Sequence, residues 1–236
     1  PWHRLPARAE ELVRPPVWKL GHDSAGIVVR FRSDARRIDV RYALTKGTLA
    51  MPHMSASGVS GFELYVRHSG NWRWLAATKP RERSGELTLV DELPAGDREF
   101  ALYLPLYNGV KDLELGVPTG SELAPAEART AKPVVFYGTS ITQGACASRP
   151  GACHVAILGR RLDRPTINLG FSGQGRMDLE LADLLAEIDA AVYVVDCLPN
   201  MNPESIRERA TGFLRRLRSA RPEVPLVVVE DRTMPK

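Results

Sequence analysis

Three polar groups recur at comparable points in the second half of the chain. Ser140 sits in Tyr137-Gly138-Thr139-Ser140-Ile141-Thr142-Gln143-Gly144, directly after an apolar run at 134–137. A glycine permits a tight turn there, and a serine beginning the next segment projects its hydroxyl outward. Such a hydroxyl is a nucleophile once a base takes its proton. The second group is Gly173, in Asn168-Leu169-Gly170-Phe171-Ser172-Gly173-Gln174-Gly175, which offers bare backbone N–H groups. The third is Asn200, a neutral amide donor closing Asp196-Cys197-Leu198-Pro199-Asn200. Around one crevice, a serine, a glycine N–H and an asparagine amide outline an acyl-transfer site, because a tetrahedral intermediate needs preorganised donors at its negative oxygen. Each such donor typically contributes roughly 3–4 kcal/mol of barrier lowering. Plainer roles stand beside these: Gly173 also reads as a turn residue, and Asn200 as the lead into a helix cap at Asn202-Pro203.

These groups share a crevice only if the elements before them are neighbouring strands. From Pro133 onward, short apolar runs at 134–137, 166–169, 191–195 and 226–229 alternate with helix-period segments, the pattern of β-α-β units on a parallel sheet. Met177, Leu181, Leu184, Leu185 and Ile188 fall on one helical face; so do Ile206, Ala210, Phe213, Leu214 and Leu217, behind an Asn202 cap and Pro203. In open α/β sheets the crevice lies beyond the carboxyl ends of the strands, where all three groups fall. Up to about residue 130 the apolar residues alternate instead, as in Ile38-Asp39-Val40-Arg41-Tyr42-Ala43-Leu44 and Phe62-Glu63-Leu64-Tyr65-Val66-Arg67. Period-2 runs broken by turn signals such as Ser69-Gly70-Asn71 and Asn108-Gly109 predict an all-β sandwich or jelly roll. The expected division is a β-sandwich accessory domain over 1–131 and a three-layer α/β domain over 132–236, joined by a linker at 120–133.

In residue type and order, Ser140, Gly173 and Asn200 resemble the first three blocks of the SGNH, or GDSL-like, hydrolase and acyltransferase family. Gly61-Phe62-Glu63-Leu64-Tyr65 resembles the Gly-x-Asp-Leu-Tyr segment of a β-sandwich found ahead of some SGNH domains, and Pro105-Leu106-Tyr107-Asn108-Gly109-Val110-Lys111 also looks like that group. The resemblance implies a flavodoxin-like fold and serine-dependent acyl-ester chemistry through an acyl-enzyme on Ser140. It implies no cofactor and no metal, and as partners a small-molecule ester or acyl donor with a hydroxyl acceptor. The sequence departs from the family pattern at two places. Thr139 stands where an Asp usually precedes the serine, and no Asp-x-x-His follows Asn200; indeed no His follows His154. The expectation is therefore a C-terminally incomplete domain, nearly inactive alone, whose catalytic Asp and His lie beyond Lys236.

The other groups carry plainer expectations. His154 reads as a capping or surface residue near the start of a helix and not as the missing base; His3, His22, His53 and His68 read as structural. Asp231 and Arg232 end the fourth strand on the crevice side. Cys146, Cys153 and Cys197, an odd set without C-x-x-C spacing, suit reduced thiols and a cytoplasmic protein. The net charge of +4 is spread along the chain without a basic stripe, which argues against nucleic acid, and no apolar run reaches the ~20 residues of a membrane span. A dinucleotide site at Gly173-Gln174-Gly175 is disfavoured, since Asp178 replaces the third glycine and would repel a pyrophosphate. The remaining alternative is a non-catalytic carbohydrate-binding protein with a remnant α/β half, using Trp72 and Trp74 to stack on sugar rings.

Overall fold

A computed structural model describes residues 2–231. Its first half holds β1 (Val28–Ser33), β2 (Ile38–Leu44), β3 (Glu63–His68), β4 (Asn71–Ala77), β5 (Ser84–Val90), β6 (Arg98–Tyr103), β7 (Val110–Gly116) and β8 (Leu123–Pro125). They form two antiparallel sheets, ordered β4-β3-β6-β1-β8 and β5-β2-β7. β2 alternates buried and more exposed positions along its whole length, as a half-buried strand must. Phe31 and Phe100 face each other in the β1/β6 register with rings stacked at 5.1 Å, a cross-strand aromatic pair at the centre of the sandwich core.

Short helices accompany the sandwich. Helices α1 (Ala9–Leu12) and α2 (Pro15–Gly21) precede the sandwich, and a single turn, α3 (Ala56–Val59), interrupts it. Pro15 and Pro16 open α2, where their missing N–H groups cost no intrahelical bond. Leu5, Ala9, Val13 and Val17, four residues apart, are buried against Val135, Leu169, Phe171 and Leu181 of the second half. The N-terminal segment thus wraps across the α/β core, and a period of four within so short a stretch is easily masked by the alternating runs that follow.

The second half comprises β9 (Val134–Gly138), α4 (Ser140–Gln143), α5 (His154–Arg161), β10 (Thr166–Gly170), α6 (Leu179–Ala186), β11 (Val192–Asp196), α7 (Pro203–Ala220) and β12 (Leu226–Val228). Its sheet is parallel, in the order β10-β9-β11-β12. This is the flavodoxin-like arrangement, whose ligand crevice opens where the winding reverses, between β9 and β11. Every residue of β9 is buried, as befits a central parallel strand covered on both faces. α7 begins with a capping box between Asn202 and Ser205 and buries Phe213 and Leu217. On the other face, Tyr65, Tyr103, Leu106 and Tyr107 of the sandwich half share one apolar cluster with Phe136, Val155 and Ala156. The two halves therefore meet through a continuous core.

Candidate active site

The strand register sets the site. Gly138 pairs with Gly170 on one side and Asp196 on the other, so β9, β10 and β11 end level with one another. Ser140 follows two residues beyond that line, Gly173 three and Asn200 four. Gly175 packs so closely on the backbone of Gly138 that an added Cβ would overlap the Gly138 carbonyl and crowd Thr139 N at 3.2 Å. Asn200 in turn donates from Nδ2 to Gly175 O at 3.3 Å. Turned over, its amide oxygen accepts from Gln174 N and Gly175 N, each at 3.2 Å, beside their bonds to Phe171 O, and its NH2 turns away from them. In either orientation the Asn200 amide rests on the glycine loop that rests on the serine turn.

Ser140 is the first residue of α4, partly exposed, with Thr139 as N-cap accepting from Ile141 N at 3.3 Å. Thr139 N donates to Asp196 O at 3.1 Å, and Thr142 Oγ1 donates to Asp196 Oδ2 at 2.8 Å, so one residue of β11 clamps both ends of the first turn. Burial pushes the Asp196 carboxyl above its ordinary range, against the pull of the Thr142 hydroxyl and of His154. The buried Thr139 shows what takes the place of the family's Asp: a hydroxyl that caps α4 without adding charge beside the serine. Gly138 is obligatory here, because any side chain would strike Thr142 Oγ1 and the Asp196 carbonyl. Among the described residues, the N–H groups of Ser140 and Gly173 donate to no acceptor. Gly173, left-handed at φ 70°, has open space around it, and Arg176 Nε holds its carbonyl at 2.9 Å.

Behind this surface lies a buried polar network that sequence reasoning did not foresee. Gln143, with no exposed surface, accepts from Ser172 N at 2.9 Å and donates from Nε2 to Asp23 Oδ2 at 3.2 Å and Leu106 O at 3.1 Å. Asp23, equally buried, also pairs with Lys46, which donates to Tyr107 O at 3.0 Å. Tyr107 Oη donates to Ser140 O at 3.3 Å, and burial pushes its hydroxyl up to about 12. Arg4 donates to Gly170 O at 2.7 Å and Asn168 O at 3.2 Å, with its guanidinium 4.9 Å from the Phe171 ring; burial lowers it to about 10. Asn168 completes the set by donating to Thr142 O at 2.8 Å. Loops carrying Ser140 and Gly173 are thus tied to each other and to the first half. Gln143 lies inside the Ser140 segment, but Arg4, Asp23 and Tyr107 are distant in sequence and carry no local signature.

His154 stands at the start of α5, half-buried, edge-on to Phe136 with ring centroids 6.0 Å apart. Burial lowers its pKa despite the counteracting charge of Asp196, and no hydrogen bond joins it to Ser140. It lines a depression of about 390 Å³ with Ile141, Asp196, Pro199 and Asp231. Asp231 therefore faces the crevice side; Arg232 lies outside the described residues. Cys153 and Cys197 are buried thiols raised in pKa by that burial, and Cys146 is exposed; all three are free. Among the described residues, no group of three or more His, Cys, Asp or Glu is placed to hold a metal ion, and no helix is long and apolar enough to cross a membrane.

Residues 131–236 match the GDSL-like lipase/acylhydrolase family, and residues 1–123 match the N-terminus of SGNH-hydrolase-type esterases. A crystal structure from Bacteroides ovatus, described as a GDSL-like lipase, is 35% identical with a TM-score of 0.92, covering 96% of this chain and 67% of that one. The chain belongs to the GDSL-like lipase/acylhydrolase family, with the sandwich-type N-terminal half of the SGNH esterases. Two more distant structures share the fold. The salicylyl-acyltransferase SsfX3 from a tetracycline biosynthetic pathway is 21% identical with a TM-score of 0.76, over 95% of this chain and 63% of that one. A family two carbohydrate esterase from Clostridium thermocellum, solved with cellohexaose, is 14% identical with a TM-score of 0.60, over 86% and 70%. The present chain thus spans about two thirds of the length of these proteins. No curated protein matches the sequence.

Proposed function

We propose that the protein performs serine-dependent acyl-ester chemistry through an acyl-enzyme on Ser140. Ser140 Oγ adds to the carbonyl carbon of an ester as a base takes its proton, and the oxyanion that forms is held by the N–H groups of Ser140 and Gly173 and by the Asn200 amide. Collapse breaks the bond to the alkoxy group, which leaves with a proton as the alcohol. Water or a second small-molecule hydroxyl then attacks the acyl carbon and regenerates the serine. The observation that carries this reading is the level ending of three adjacent strands, with Gly175 on the Gly138–Thr139 backbone and Asn200 on Gly175.

The base is a separate requirement. His154 makes no hydrogen bond to the serine, so the test belongs to the protein at its full length. A fluorophosphonate should attach covalently to Ser140, and Ser140→Ala should abolish both labelling and ester turnover while the melting temperature stays unchanged. Turnover that survives Ser140→Ala would remove the nucleophile assignment. Sugar binding by a protein that resists the label would support the non-catalytic alternative.

A further inference from the structure

Away from the crevice, at the opposite ends of the parallel strands, the two halves leave a cavity of about 370 Å³ between them. It is bounded by the first residue of β10 and the end of α5 on one side and by β1, β4 and β6 on the other. Four guanidinium groups line it, those of Arg30, Arg129, Arg160 and Arg164, with Trp72 and Tyr103 as aromatic walls; no Asp or Glu does. The volume lies within the range of small-molecule sites.

The charges around the cavity do not balance. Arg30 is paired with Glu99, and Arg129 with Asp163 at 2.5 Å. Asp163 is shared, because Arg67 holds it as well at 2.7 Å, and the Arg67 hydrogen bond followed by the Arg129 charge drives its carboxyl down to about 2. Arg160 and Arg164 have no carboxylate partner among the described residues. Arg160 donates from Nη2 to Gly151 O at 2.6 Å and lies 3.9 Å over the Tyr65 ring, but its Nη1 is buried without any hydrogen-bond partner. The Arg164 guanidinium donates to the Lys132 carbonyl at 3.3 Å. A buried N–H of a charged group left unmade is costly, and like charges gathered in one half-closed cavity repel. One anion seated between Arg160 and Arg164 relieves the repulsion, while the Nη1 atom, without accessible surface, stays out of its reach.

From this geometry we infer that the interdomain cavity binds a small dianion with a planar body, its acidic group on Arg160 and Arg164 and its ring against Trp72 and Tyr103. A phosphate monoester of an aromatic alcohol has that chemistry: guanidinium pairs recognise phosphate oxygens in a planar fork, and aromatic side chains accept the ring. The site is separate from Ser140 and does not depend on the ester reaction.

Phenyl phosphate titrated into the full-length protein and followed by calorimetry tests it, with phenol as the neutral control. Binding should weaken about ten-fold in Arg164→Gln, whose side chain is exposed and whose loss leaves the fold intact. It should weaken further in Arg160→Gln, fall with added salt, and be unchanged in Ser140→Ala; phenol should not bind. Absence of phenyl phosphate binding at millimolar concentration, equal affinity in wild type and Arg164→Gln, or loss of binding in Ser140→Ala would each overturn the inference.

Discussion

Gln143→Glu changes one atom at the centre of the network behind the site. The replaced amide nitrogen is 3.2 Å from Asp23 Oδ2 and 3.1 Å from the Leu106 carbonyl, and neither Gln143 nor Asp23 has exposed surface. A carboxylate at 143 would set two negative oxygens in contact without water between them, so the new group holds its proton and its folded-state pKa rises above the unfolded value of about 4.3. Below that pH the variant is protonated in both states and its O–H can replace one of the two lost donations. Stability then falls as pH rises from about 4 to the folded-state pKa and stays low above it, because the folded chain binds the extra proton over that window. A rise of two to three units, within the range for buried groups, corresponds to about 3–4 kcal/mol. For a chain of this size that is a drop of roughly 6–16 °C in melting temperature at pH 8. Circular-dichroism melts of wild type and variant from pH 4 to 8 read it directly. Gln143→Met, which removes the donations to Asp23 and Leu106 and also orphans the Ser172 N–H, should already be destabilised at pH 4, where Gln143→Glu still holds its proton in both states. Parallel pH profiles for wild type and Gln143→Glu would refute the coupling of α4 to Asp23.

Gly175→Ala places a methyl group on the Gly138 carbonyl and should cost about 2–3 kcal/mol, seen as a lower urea midpoint, with loss of Ser140 labelling as the loops part. Asp196→Asn removes a carboxyl whose pKa burial has raised, a group whose stability contribution is full below its unfolded pKa of about 3.9 and declines as pH rises to the folded value. The variant, still able to accept from Thr142, should flatten that decline in denaturation curves taken at pH 4 and 7. Asn200→Ala, at a partly exposed position, should slow ester turnover in the full-length protein about 10²–10³-fold with little change in melting temperature; a thermal shift without a rate loss would assign Asn200 to loop packing alone.

The first half has a larger part in the site than its sandwich pattern suggests. Arg4, Asp23, Lys46 and Tyr107 all come from it, and together they reach the carbonyls of Asn168, Gly170 and Ser140 and the side chain of Gln143. Severing the halves would expose the shared apolar cluster and strip the serine and glycine loops of these partners.

Sequence alone determined the parallel strands, the α6 and α7 apolar stripes, the Asn202 cap, the alternating strands of the sandwich and the order Ser140, Gly173, Asn200. These follow from periodicity, capping and turn chemistry, which act between residues a few positions apart and so leave a local trace. Tertiary structure decided what depends on distant pairs: Leu5, Ala9, Val13 and Val17 turned into the α/β core, Gly175 pressed on Gly138, Asp23 reaching Gln143 across 120 residues, and four arginines gathered at one cavity. Burial makes a hydrogen bond or an unpaired charge expensive or valuable. Which groups are buried together is a property of how the sheets and helices pack, and no spacing along the chain records it.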